Sequence, residues 1–178
     1  MAVMNNIVLK RVAQCFLLSM LLVTAFSVSA RGVYQTNEAF LAETFDGEVP
    51  KSKVIWIKGE LRKTIADILG HRYSGLRIRY WDNGQRSAWI LNEIGKEQPI
   101  TFGIVIEADK IKHVKVLAFR ESRGWEIRHP AFTQQFKDAT LIDKSLDRHI
   151  DGVSGATLSV WAMTAVTRLA LYLDTLIT

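Results

Sequence analysis

Polar and apolar positions divide the chain sharply at Arg31. From Val12 to Ala30 no residue is charged, and the strongest apolar run is Phe16-Leu17-Leu18-Ser19-Met20-Leu21-Leu22-Val23. Beyond Arg31 apolar residues recur in twos or in threes and fours, which are strand and helix periods. Phe40, Leu41, Thr44 and Phe45 share one face of a short helix, with Asn37 as its cap. Val54-Ile55-Trp56-Ile57 reads as a strand. Leu61, Ile65, Ile68 and Leu69 predict a helix from about Glu60 that stops at Gly70. Leu76–Trp81 and Ser87–Leu91 flank Asp82-Asn83-Gly84-Gln85, a hairpin signal. A second pair, Thr101–Glu107 and Ile111–Phe119, turns at Ala108-Asp109-Lys110, and alternation along its second strand predicts one better-buried face. Phe132 and Phe136 suggest a short helix. Leu158, Trp161, Ala162, Ala165, Leu169, Leu173 and Leu176 predict one apolar stripe on a helix from about Ala156 or Thr157 to Leu176. These elements give an α+β fold, a twisted antiparallel sheet packed with helices and ending in a long C-terminal helix.

Residues 1–30 stand apart from that domain. Lys10 and Arg11 precede the apolar run, and Val28-Ser29-Ala30 carries small residues where a signal peptidase would cut. The other reading is an uncleaved anchor, since an uncharged helix from Val12 to Ala30 would reach roughly 28 Å, about the thickness of a bilayer core. Either reading exports the domain. The single cysteine, Cys15, lies in this segment. A mature chain starting at Arg31 therefore has no thiol for a disulfide, an iron–sulfur cluster or haem attachment. Its net charge falls from +5 to +3, too mild to argue for nucleic-acid binding.

The candidate chemistry lies in Asp151-Gly152-Val153-Ser154-Gly155-Ala156-Thr157-Leu158-Ser159. By its residues alone this is a tight turn entering a helix, with Ser154 placed to cap. Gly155 and Ala156 let backbone approach a ligand, and the helix N-terminus favours an anion. Thr157 would hold a hydroxyl there, suited to a bound or an esterified phosphate. An ordinary capped helix start has the same composition.

That stretch resembles the attachment motif of the FMN-binding domain family, Asp-x-x-Ser/Thr-Gly-Ala-Thr, often with Ser or Thr two places further on. The family includes the flavin-carrying subunits of the sodium-pumping NADH:quinone reductase and of the ferredoxin:NAD oxidoreductase complex. Asp151, Ser154, Gly155, Ala156, Thr157 and Ser159 match the motif. The resemblance extends upstream to about Gly95, through a strand pair and the loop Glu121-Ser122-Arg123-Gly124. In that loop Ser122 and Arg123 stand where the family has Thr and Pro.

The resemblance implies a division into residues 31–94, the N-terminal part of the globular domain, and 95–178, the FMN-binding core. It further implies FMN held covalently by a phosphoester to Thr157, installed from FAD by a flavin transferase with Mg²⁺. Cofactor contacts are expected from Asp151, Ser154, Gly155, Ala156, Ser159, Glu121, Ser122, Gly124 and Trp125. Phe136 is either a pocket wall or core. The protein would be an electron carrier, or a component of an oxidoreductase system, rather than a stand-alone enzyme. Its setting would be the periplasm or the outer face of a bacterial cytoplasmic membrane, and membrane contact would come only from an uncleaved N-terminal segment. Redox partners such as a cytochrome or a membrane reductase are expected, and Arg77 and Arg79 could face an acidic one. The alternative is a non-redox module of the same fold that binds a phosphate ligand or a partner protein. Direct reduction of a small acceptor is a third reading. No catalytic side chain and no metal set is expected, because His71, His113, His129 and His149 have no convergent spacing. Ser154 or Ser159 with His149 lacks an oriented third group for hydrolysis.

Overall fold

A computed structural model describes residues 32–177. The segment read as a signal peptide or anchor lies outside the described residues. Among the described residues four α-helices accompany a six-stranded antiparallel sheet, so the fold is α+β. Strands β1 (Gly32–Val33), β2 (Lys53–Trp56), β3 (Arg77–Asp82), β4 (Arg86–Ile94), β5 (Pro99–Glu107) and β6 (Lys110–Phe119) stand in the order β1-β6-β5-β4-β3-β2. Strands β2 to β6 form a meander in which each strand pairs with the next, and β1 closes the far edge on β6.

The turn chemistry explains this register. At the first hairpin Asp82 Oδ1 accepts from Gly84 N at 2.7 Å, and Asn83 Oδ1 accepts from both Gln85 N and Arg86 N at 3.0 Å. At the second, Ala108 and Asp109 both adopt positive φ, 51° and 61°, the backbone of a tight two-residue hairpin turn.

Both faces of the sheet are covered. Helix α1 (Asn37–Thr44) lies on one, where Phe40, Leu41 and Phe45 meet Ala88, Val105 and Leu117. Leu117 is thus buried on the face where alternation left the weaker burial signal. The N-cap of α1 is Thr36, one residue before the expected Asn37: its hydroxyl accepts from Ala39 N at 3.1 Å. Gly103 lies under Phe40, and a Cβ there would fall 2.7 Å from the ring. Gly103→Ala is therefore expected to cost about 1–3 kcal/mol by overpacking, read as a lower denaturant midpoint with an unchanged slope.

The larger core lies on the other face. Helix α2 (Gly59–Leu69) closes at Gly70, as expected, and packs beside the C-terminal helix. Trp89, Phe102 and Ile104 rise from the sheet to meet it. After β6 the chain runs through a 3-10 turn (Trp125–Arg128), the one-turn helix α3 (Pro130–Thr133), a second 3-10 turn (Gln134–Phe136) and the hairpin β7 (Leu141–Ile142) and β8 (Ser145–Leu146). Phe132 and Phe136 are both buried, their rings edge to face at 5.7 Å.

Helix α4 (Thr157–Asp174) starts where the sequence placed it but is rotated from the predicted stripe. Ser159, Val160, Met163, Val166, Thr167 and Ala170 are buried together with Ala162, Leu169 and Leu173 of the predicted stripe, whereas its Leu158, Trp161 and Leu176 are exposed. The small side chains Ser159, Ala162 and Ala170 let the helix approach the sheet closely, so the buried face is not the one bearing the largest residues. Among the described residues no helix is long and apolar enough to cross a membrane.

Candidate functional site

The entry into α4 alternates between buried and displayed residues. Val153 is half-buried and packs against the core, Ser154 and Gly155 are exposed, and Ala156 is buried. Thr157 and Leu158 turn outward, and Ser159 and Val160 turn in. Val153 and Ala156 thus act as two apolar anchors that hold Ser154, Gly155 and Thr157 toward solvent. Gly155 has φ 80°, a left-handed conformation that turns the backbone into the helix.

Ser154 does not cap α4 as the sequence suggested. The N-cap is Ala156, and no side chain hydrogen-bonds to the helix's first turn. The first-turn N–H groups therefore stay open to a ligand, at the positive end of an 18-residue helix.

The loop after β6 meets this helix start. Gly124 has φ 87°, and a Cβ on it would lie 2.5 Å from Ser159 Oγ and 3.4 Å from Ala156 Cβ. Only a residue without a side chain lets the loop close on the helix, so Gly124, Ala156 and Ser159 form one packed contact. Ala156 and Ser159 also line the cavity beside Thr157.

Glu121 is nearly fully buried, and its Oε1 accepts from the backbone N–H groups of Lys96, Glu97 and Gln98, at 2.5, 2.6 and 2.9 Å. Burial pushes its carboxyl up, but the N–H donors of Gln98, Glu97 and Lys96 outweigh that and hold it below the usual glutamate range. Glu121 thereby ties the loop to the β4–β5 turn and brings Lys96 to the site.

Together these pieces line a cavity of about 510 Å³ bounded by Lys96, Glu121, Ser122, Arg123 and Gly155 through Ser159. Its volume lies within the range of small-ligand sites. Lys96, whose Nζ lies 3.5 Å from Glu97, and Arg123 supply positive charge beside the helix N-terminus, the Glu121 Oε1 is taken up by backbone N–H donors, and Thr157 supplies a hydroxyl. That combination suits a phosphate group.

Two other cavities suit one less well. The first, about 270 Å³, lies at the opposite end of α4 against Asp82, Asp109 and Asp174, where carboxylates and the helix C-terminus both repel an anion. The second, about 490 Å³, is bounded by Tyr34, His113, Lys115, Arg128 and His129 and shares no lining residue with the stretch around Thr157.

The remaining expected residues lie elsewhere. Asp151 is exposed, and its backbone is clasped by Gln135, whose Oε1 accepts from Asp151 N at 2.7 Å. Its carboxylate is 3.8 Å from His149, in solvent. Trp125 is half-buried, edge-on to His129 at 5.2 Å with the Arg128 guanidinium 5.1 Å from its ring, and is not among the residues lining the Thr157 cavity. Arg77 and Arg79 project from the exposed side of β3. Sequence reasoning missed Lys96 and Leu158 as cavity residues. Leu158 carried a signal, since it follows the motif threonine directly, but was read as part of the buried stripe.

Comparison with known families agrees with this geometry. Residues 95–172 match the family model described as the FMN-binding domain, a span that includes every residue lining the cavity. Searches of curated proteins and of solved structures each returned no match.

Proposed function

We propose, on the match of residues 95–172 to the FMN-binding domain family model, that this chain is an exported electron carrier whose FMN is joined by a phosphoester to Thr157. One observation carries the proposal: an exposed threonine hydroxyl at an uncapped helix N-terminus, in the wall of a cavity that also holds Lys96 and Arg123. The residues fit the group. FMN has an anionic phosphate at one end and a broad aromatic ring at the other. The cations and first-turn N–H groups match the phosphate, and the glycine contact at Gly124 leaves the cavity clear of side-chain bulk.

In the attachment step the Thr157 oxygen would bond to the FMN phosphorus of FAD as the pyrophosphate bond breaks. AMP then leaves with the bonding electrons, and the hydroxyl proton passes to the transferase or to water. Lys96 and Arg123 neutralise the phosphate charge during and after this exchange. Val153 and Ala156 hold the hydroxyl at a fixed point on the surface, where a second protein can reach it. When bound, the flavin supplies electron transfer, and the chain's part is to orient it and tune its surroundings. No protein acid or base is needed for that task.

Covalent attachment suits a protein outside the cytoplasm, in the periplasm or on the outer face of a bacterial membrane. A cofactor held only by equilibrium would leave once its free concentration fell below Kd. The expected partners are the flavin transferase and redox proteins such as a cytochrome or a membrane reductase.

Intact-mass measurement of the exported protein, co-expressed with a flavin transferase, tests the proposal. The expected result is a gain of one FMN less one water that survives denaturation. A colourless protein, made in cells where a control target is modified, would move the assignment to a phosphate-ligand or partner-binding module.

A further inference from the structure

Helix α4 turns its largest side chain to solvent. Trp161 is 65% exposed, while its neighbours Val160 and Ala162 are buried. With 3.6 residues per turn, Thr157, Trp161 and Arg168 share one narrow arc. That arc lies opposite the one formed by Met163, Val166 and Ala170, which are buried. Trp161 therefore occupies the middle of the outward face, one turn after Thr157. Leu158, 41% exposed, flanks Trp161 on this face and also lines the Thr157 cavity.

A single exposed apolar residue is ordinary on a protein surface. Position sets this one apart. Helical side chains lean back over the turn that precedes their own Cα, so the Trp161 indole overhangs the turn that carries the Thr157 hydroxyl. The cavity beside Thr157 has Lys96, Arg123 and Leu158 in its lining, and Trp161 lies one helical turn beyond, outside that lining, so the surface runs from charged to apolar. A ligand anionic at one end and flat and aromatic at the other matches that gradient.

We propose that Trp161 is a contact residue for the flavin ring: the isoalloxazine of an FMN tethered at Thr157 lies against the Trp161 indole, with Leu158 completing the apolar surface. This rests on the attachment proposed above. Indole is electron-rich and the oxidised flavin ring electron-poor, so offset stacking is favourable. The contact covers Trp161, the more exposed of the two large apolar side chains that α4 leaves in water, and it shields one ring face from solvent.

Indole stacked on a flavin quenches flavin emission, which gives a readout independent of any turnover. Wild type, Trp161→Ala and Trp161→Phe are co-expressed as full chains with a flavin transferase. Their intact masses are then compared, along with flavin emission in the native state and in urea. All three are expected to carry FMN equally. Native emission should be several-fold below the unfolded value in wild type, largely restored in the alanine variant and intermediate in the phenylalanine variant. Equal native emission in wild type and Trp161→Ala overturns the contact while leaving attachment intact. Wild type without FMN overturns the attachment, and the contact with it. Should the alanine variant alone escape modification, the phenylalanine variant decides: emission as low as wild type overturns the contact, and a rise supports it.

Discussion

Thr157→Val is expected to give a protein that folds as wild type does and carries no covalent flavin. Valine keeps the shape and β-branching of threonine and removes only the hydroxyl on which the phosphoester depends. Thr157 is exposed at the first position of α4 and its side chain caps nothing there. The stability change should therefore stay within about 0.5 kcal/mol, as for other surface substitutions, and thermal melting checks this. The effect on the cofactor is all or none, because valine has no oxygen from which to form the ester. Intact mass after denaturation is the deciding measurement, and a valine variant that kept flavin through denaturation would refute the assignment of Thr157.

Glu121→Ala is expected to have the largest effect on the scaffold. The carboxylate receives three backbone N–H groups from the β4–β5 turn. Lys96, Glu97 and Gln98 are exposed, so water can take over part of that role, and a loss of about 2–3 kcal/mol is expected. The loop bearing Ser122 and Arg123 would then no longer be tied to Lys96, and the cavity would open. Glu121→Gln keeps an acceptor oxygen but not the charge, and should lose less.

The pH dependence follows from the carboxyl's depressed folded-state pKa. Below the usual glutamate range the unfolded chain binds the proton more readily than the folded one. Stability from Glu121 is therefore complete above the unfolded pKa and disappears as pH falls through the folded one. Denaturant midpoints followed from neutral to acid pH should decline in wild type, with a shallower decline in Glu121→Gln. Equal slopes in the two proteins would mean that Glu121 contributes no pH-dependent stability.

How much of this was legible before folding depended on the range of the interactions involved. The hairpins at Asn83-Gly84 and Ala108-Asp109 and the helix stop at Gly70 are local backbone events, and the sequence showed them directly. The motif around Thr157 was legible for the same reason, since helix start, glycine turn and hydroxyl lie within a few residues. The cap of α1 missed by one residue because Thr36 and Asn37 are both good caps, and the fold decided between them. Pattern alone gave α4 the wrong rotation. Its apolar residues surround most of the helix, and the face that packs is set by Ala156 and Ser159 meeting Gly124. Lys96 and Glu121 are joined only through a distant strand pair, so neither the cation in the cavity nor the carboxylate that positions it could be read from spacing.

The contact between Gly124 and Ser159 also governs where this protein can change length. The chain leaves the cavity after Arg123 and returns at Gly155, and the intervening segment is held at its two ends and by the buried Ile127, Phe132 and Phe136, with the β7–β8 turn as its exposed tip. Lengthening such a loop is thermodynamically cheap, about 0.6 kcal/mol for each doubling. Insertions at the exposed Asp143-Lys144 turn should accordingly leave the cavity unmoved, losing at most the Arg168 hydrogen bond to the Lys144 carbonyl and the Lys144–Asp67 ion pair. One residue added between Ala156 and Thr157 is another matter, because it advances the helix by about 100° and carries the hydroxyl away from the cavity mouth. Tolerance and intolerance to insertion thus lie within a short stretch of one chain, separated by Gly152 and Gly155.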